Sequence, residues 1–185
     1  MDLNAFWALV ERSAAETSDQ DERLEWLAAA LAALPPADVV DFAVRLDELR
    51  RRVDTWEHWH AGWLIWDGLC SDDGFFYFQA WLVGLGRSVF ESVVTSPDAL
   101  ADVPQIQTLA SRGMSAWTRD DEPDWECLDY VAVDAFDGDL AEVLASRGLE
   151  VLVSPDPAGA HWDFADPVEI VARLPRLGAL FGKVA

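Results

Sequence analysis

The stretch "SDDGFFYFQAWLVGLG" (residues 71–86) places three polar residues directly ahead of a run that carries no charge until Arg87. Ser71 is a favoured N-cap, and Asp72 and Asp73 would sit in the first turn, where the helix dipole favours negative charge by about 0.3 to 1 kcal/mol each. Phe75, Phe78, Leu82, Leu85 and Val89 then recur at helical spacing, with Phe76, Tyr77 and Trp81 apolar on the other faces. Such a helix belongs in a core, and Ala80 and Gly84 would let a neighbouring helix approach closely. The uncharged run, Gly74 to Gly86, is shorter than the roughly 20 residues that cross a bilayer. The expectation is an all-α protein: a single-domain irregular helical bundle around a buried, aromatic-rich central helix, with at most one short strand pair.

The rest of the chain supports that frame. A length of 185 residues suits one domain, 1–185, and 51% apolar residues with ten tryptophans can fill a sizeable core. Towards the N-terminus, Phe6, Trp7, Leu9, Val10 and Ala14 mark a helix over Leu3–Glu16. Ser18 with Asp21 reads as a capping box for a second helix bearing Leu24, Leu27, Leu31 and Leu34, which stops at Pro35-Pro36. Pro36 opens a third, burying Val39, Phe42, Ala43, Leu46, Leu49 and Val53 and turning Asp47, Glu48 and the basic cluster Arg50, Arg51 and Arg52 to solvent as an ion-pair face.

In "DTWEHWHAGWLIWDG" (residues 54–68), Trp56, Trp59, His60 and Trp63 share a helical face with Trp66 at its margin, and Gly68 can stop the helix. Core packing explains those indoles better than a stacking cage. His58 and His60 point about 200° apart and cannot share a metal ion, so His60 is expected to lie buried among indoles.

Beyond the central helix, Gly84-Leu85-Gly86 lacks both the third glycine and the preceding strand of a dinucleotide-binding loop. Ser96-Pro97-Asp98 reads as a cap, followed by a long, mobile loop; residues 101–165 form an acidic, loop-rich segment. An EF-hand is contradicted by Phe136 at a ligand position before Gly138, so no metal site is assigned, and nothing calls for a cofactor. Asp139 and Glu142 cap a helix containing Leu140, Val143 and Leu144. "GLEVLVSP" (residues 148–155) reads as a short strand or extended segment. A final helix, 166–185, starts at Asp166, Pro167 and Glu169 and buries Ile170, Val171, Leu174, Leu177, Leu180 and Phe181, with Pro175 as a kink or break.

A formal charge of −21 excludes binding to the nucleic-acid backbone and disfavours anionic membranes; it suits solubility and would steer a basic partner. The opening "MDLNAFWALVERSAAE" lacks the basic n-region and apolar stretch of a signal peptide. Two cysteines, Cys70 and Cys127, have no framework spacing and read as buried free thiols of a reducing compartment, which places the protein in the cytoplasm.

Four pieces of sequence, "FWALVE", "TWEHW", "CSDDGF" followed by "WLVGLGR", and "SPDAL", together resemble the bacterial domain-of-unknown-function 4240 family across residues 1–100. Trp66, Asp67 and Leu69 depart from the family's glycine-rich lead-in. The resemblance implies a mostly helical bacterial protein and brings no catalytic residue; the positions matching its pattern are Ser71, Asp72, Asp73, Trp81 and Arg87.

Two functional expectations follow. The first is a non-enzymatic acidic protein-interaction module, such as an immunity-like inhibitor or a regulatory subunit, whose basic partner engages Asp120, Asp121, Glu122, Asp124 and Glu126. The alternative is a small-molecule or divalent-metal binding protein, or an enzyme, with its site at Ser71, Asp72 and Asp73 and Trp59 or Trp63 as a wall. On an unbroken helix Arg87 would stand about 20 Å from Asp73, too far for one small ligand to touch both.

Overall fold

The structure, a computed structural model, describes residues 1–149 and 156–182, and among them the chain contains helices and no strand. The α-helices are α1 (Leu3–Glu16), α2 (Gln20–Ala32), α3 (Pro36–Arg52), α4 (Trp56–Ile65), α5 (Asp72–Gly84), α6 (Arg87–Thr95), α7 (Pro104–Ser111), α8 (Val131–Ala135), α9 (Leu140–Ser146), α10 (Pro167–Arg173) and α11 (Pro175–Leu180). The expected all-α class holds, and the only β-type pairing among the described residues is an isolated parallel bridge between Thr55 and Ala158. The strand reading of 148–155 falls on 150–155, outside the described residues.

Helix starts follow local chemistry. Asp2, Asp19, Asp139 and Asp166 each accept a backbone amide at the head of α1, α2, α9 and α10. Asp19 rather than Ser18 caps α2, because it stands one residue ahead of the first helical turn and reaches the Glu22 amide at 3.0 Å. The break after α5 corrects the expectation of one long helix: Gly86 takes φ +89°, and Arg87 opens α6. The segment after Asp98, expected as a mobile loop, instead forms α7 and short 3₁₀ turns. Pro175 breaks the final helix into α10 and α11, which leaves Val171 exposed and Leu180 and Phe181 half-buried.

The chain divides into two compact units, each assembled from separated segments. Unit 1 comprises 1–52, 80–87 and 125–155, and in it α1 packs on α2 and α3, α2 on α8, and α3 on α8 and α9. Its core holds Phe6, Trp7, Val10, Leu27, Leu31, Phe42 and Leu46 together with Trp81 and Leu82 from the last turns of α5. The neighbour that Gly84 admits is a side chain rather than a helix. A Cβ on Gly84 would lie 2.6 Å from the Trp125 ring, whose face is covered by the Arg23 guanidinium at 4.4 Å while Arg23 donates to the Gly84 carbonyl at 2.9 Å. Arg50, expected on the solvated face of α3, is buried and pairs with buried Asp129 at 2.9 Å.

Unit 2 comprises 53–79, 88–124 and 156–185, with α4 against α11 and α10 against α11. Asp98 is buried and accepts the Arg176 and Leu177 amides at 3.0 and 2.9 Å, capping α11, whose own N-cap Leu174 has no polar side chain to offer. His58 is buried as well. Its Nε2–H donates to the Val93 carbonyl at 3.1 Å, so Nδ1 is the acceptor for the Thr55 hydroxyl at 2.7 Å.

Replacing Gly84 by alanine gains up to about 1 kcal/mol of helix propensity but drives a methyl into a ring that cannot retreat, which costs about 1–3 kcal/mol. Gly84→Ala is therefore expected to lower the urea-unfolding midpoint.

Burial pushes both His58 and His60 down to about 4 from 6.5. Folded-state values below the unfolded ones give stability that is present above pH 6.5 and lost as pH falls towards 4, on the order of 3 kcal/mol for His58 alone. Asp129, raised to about 6 by burial against the pull of Arg50, acts in the opposite sense over an overlapping window. Comparison of wild type with His58→Gln/His60→Phe by urea unfolding at pH 7 and pH 4.5 isolates the histidine part: the double variant is expected to lose less stability on acidification.

Candidate functional site

Ser71 does what its position predicts. Its hydroxyl accepts the Gly74 amide at 3.1 Å and its carbonyl accepts that of Phe75, so α5 begins on it and Asp72 and Asp73 occupy the exposed first turn. Ahead of it, α4 ends in a Schellman arrangement: the Gly68 amide returns to the Trp63 carbonyl at 2.8 Å and the Asp67 amide to that of Leu64 at 3.3 Å. Asp67 itself takes the left-handed conformation at φ 51°, and Gly68 follows at φ 92°. Both residues in the α4–α5 turn are thus set by helix termination.

Cys70 lies in this turn, half-buried, with burial first and the Asp72 charge second pushing its thiol up to about 12. At neutral pH it is a protonated thiol, which removes it as a nucleophile. Cys127, expected buried, is exposed.

Of the proposed wall, Trp59 stacks on Phe75 at 4.8 Å and on Trp56 at 5.4 Å. Trp63 packs on Phe164 at 4.3 Å and lies over Gly68. Trp56, Trp59, Trp63 and Trp66 are half-buried rather than core. His60 is wholly buried, edge-on to Trp162 at 4.2 Å, with Trp56, His161 and Phe164 completing its surround. Among the described residues neither ring nitrogen of His60 nor the indole N–H of Trp162 has a hydrogen-bond partner, and their perpendicular rings suit N–H···π contact.

The family-pattern residues divide between the units, Ser71, Asp72 and Asp73 in unit 2 and Trp81 and Arg87 in unit 1. Trp81 is buried in the core of unit 1, and Arg87 is committed there: its guanidinium donates to Asn4 at 2.8 Å and its amide to Glu11 at 3.1 Å. Among the described residues, no three His, Cys, Asp or Glu side chains converge on a point that could hold a metal ion.

The acidic stretch is ordered by its own arginines. Asp121 accepts Arg112 at 2.6 Å and both the amide and hydroxyl of Thr118; Arg112 and then Thr118 hold its carboxyl down at about 2. Arg119 lies 3.9 Å from Glu122 and 3.8 Å from Asp124, whereas Asp120 is exposed and Glu126 half-exposed.

Two hollows had no signal in the reading of the sequence. In unit 2 a cavity of about 430 Å³ is lined by Leu64, Asp67, Arg112, Met114, Trp117 and Phe181. In unit 1 a groove of about 770 Å³ runs between α1 and α2. The spacing of Ala5, Ala8 and Leu9 was the available clue to the second, a helical stripe outside the one that feeds the core.

A family model described as a protein of unknown function (DUF4240) matches residues 1–138, reaching well past the hundred residues in which the likeness could be read by motif. No curated protein and no solved structure matches the chain.

The geometry at Ser71 makes a stability prediction. Ser71→Ala should lose about 1 kcal/mol in urea unfolding. The Asp72→Asn/Asp73→Asn variant should also lose stability, and that loss should shrink as salt is raised, since it acts through the helix dipole.

Proposed function

We propose, for a chain that belongs to the domain-of-unknown-function 4240 family, a non-enzymatic role as an acidic protein-interaction module of the bacterial cytoplasm, an immunity-like inhibitor or regulatory subunit that engages a basic partner. One observation carries the reading: every arginine among the described residues already has an internal polar, ionic or ring interaction. Arg50 pairs with Asp129, Arg51 with Asp47, Arg147 with Asp41, and Arg173 with Glu57 and Glu169. Arg23 and Arg87 hold a carbonyl and an amide oxygen, and Arg52 is likewise engaged.

With 34 acidic side chains against 13 basic ones, the acid excess is what remains for solvent. A field of that sign steers a positively charged partner and repels nucleic acid. No helix among the described residues is long and apolar enough to cross a membrane.

The alternative, a ligand or divalent-metal site or an enzyme at Ser71, Asp72 and Asp73, is favoured by the exposure of two adjacent carboxylates. Among the described residues no third His, Cys, Asp or Glu joins them in a group that could hold a metal ion.

Affinity capture from an extract of the producing cells, eluted by a salt gradient, tests the proposal. A basic protein is expected that releases between roughly 0.1 and 1 M salt, over which the screening length falls from about 10 to 3 Å. Asp120→Asn/Asp124→Asn/Glu126→Gln should retain less of it. Capture indifferent to ionic strength would overturn the reading.

A further inference from the structure

We infer that the groove between α1 and α2 is the docking site for an amphipathic helix of a basic partner protein, an inference that rests on the acidic-module reading and adds a second contact surface to the acidic stretch at 120–126. The groove lies wholly within unit 1, about 770 Å³ in volume, with Ala5, Ala8 and Leu9 of α1 on one wall and Trp26, Ala29 and Ala30 of α2 on the other. Helix α1 sends Phe6, Trp7 and Val10 inward and α2 sends Leu27 and Leu31, so the groove residues form a second apolar stripe on each helix. A solvated helix face is ordinarily polar, and a continuous apolar one marks a contact surface.

The size of these residues names the occupant's shape. Four alanines remove the bulk that would hold a third helix away, allowing approach at the usual 8–10 Å between axes, or about that. From Met1 to Arg12 the groove spans about 17 Å, roughly three turns of a docked helix. Half-buried Trp26 stands on the α2 wall with the Arg12 guanidinium 5.7 Å from its ring, a rigid aromatic anchor of the kind on which interfaces concentrate their energy.

Charge names the occupant's chemistry. Residues 1–41 hold nine acidic side chains against Arg12, Arg23 and the Met1 ammonium, which pairs with Asp38 and Asp41 and leaves an excess of six negative charges. Arg23 is spent on Trp125 and the Gly84 carbonyl. Asp2 and Asp38 lie at one end of the groove, while the α1–α2 turn at the other carries Glu16, Asp19, Asp21 and Glu22. A helix with small apolar residues on one face and Lys or Arg on its flanks meets an apolar floor and acidic ends. A second copy of this chain would bring −21 against −21, so self-association is disfavoured.

The test is calorimetric titration of the full chain with a synthetic helix of about 15 residues, alanine and leucine on one face and lysine on the rest, beside the same peptide with glutamate for lysine. Ala29→Trp and, on the opposite wall, Ala8→Trp fill the groove from exposed positions, and unchanged melting temperatures establish that both variants fold. The lysine peptide is expected to bind wild type, to lose about tenfold or more in affinity for either variant, and to be far superior to the glutamate peptide. Equal affinity for wild type and both variants, or no binding of the lysine peptide, would overturn the groove as the site. If salt-dependent capture of a basic protein persists in that event, the acidic-module reading survives; if it is lost too, both fall. A concentration-dependent dimer in sedimentation that Ala29→Trp abolishes would assign the groove to a second copy and overturn the inference.

Discussion

Thirty-four carboxylates and 13 basic side chains in one chain mean that folding proceeds against the protein's own repulsion, and the placement of each cation decides how the helices are tied. The basic residues are twelve arginines and one lysine, a choice that fits their work. A guanidinium is planar, weakly hydrated and always charged, so it can lie on an indole while donating to a carbonyl, as Arg23 does on Trp125 and Gly84. An ammonium would forfeit the stacking. The exposed pairs each contribute between nothing and about 1 kcal/mol. Arg50 with Asp129 is different: both are buried, and loss of either strands the other in the core of unit 1.

The acids have structural work as well, which limits how far net charge can be equated with binding capacity. Asp2, Asp19, Asp139 and Asp166 each terminate the unpaired amides of a helix start. Asp98 does the same across 78 residues of sequence for α11. Asp121 holds the Thr118 turn and Arg112 together. Seen beside these, Ser71, Asp72 and Asp73 follow a device the chain uses repeatedly, and their exposure needs no ligand to account for it.

What was legible in the sequence was whatever a few neighbouring residues decide. The helical period, proline stops and Asp or Ser caps located α1 to α5 and α9, and the break at Pro175 was marked by the proline itself. What was hidden depended on partners far along the chain. Arg50 looks solvated among Arg51 and Arg52 because Asp129 is 79 residues away. The helical period turns His58 away from the indole face without showing its burial, because its acceptor is the Val93 carbonyl, 35 residues on. The room beside Gly84 was readable, yet its occupant, a tryptophan from an irregular segment, was not. Of the candidate site, Ser71 and its carboxylates stand where expected, whereas the pairing of Asp121, Glu122 and Asp124 with Arg112 and Arg119 needed the fold to bring a loop and its arginines together.

The tryptophans bear on function by a similar accounting. An indole cage for a small molecule requires ring faces that the protein leaves uncovered, but Trp59 stacks on both Trp56 and Phe75, Trp56 also meets His161 at a right angle, and Trp63 packs on Phe164 and close to Gly68. Their burial is half complete because they pack on one another rather than under a second layer. That arrangement stabilises the α4 and His161–Phe164 region of unit 2 and leaves little aromatic surface for a ligand. Apolar surface with open space above it occurs instead over the alanines of α1 and α2, in the groove that Leu9 and Trp26 also line. A floor of alanine discriminates poorly among apolar partners, since contact area there is small and featureless. On the proposed docking of a basic helix, selectivity at such a surface would come from the carboxylates around it, so that the charge that opposes folding would also choose the partner.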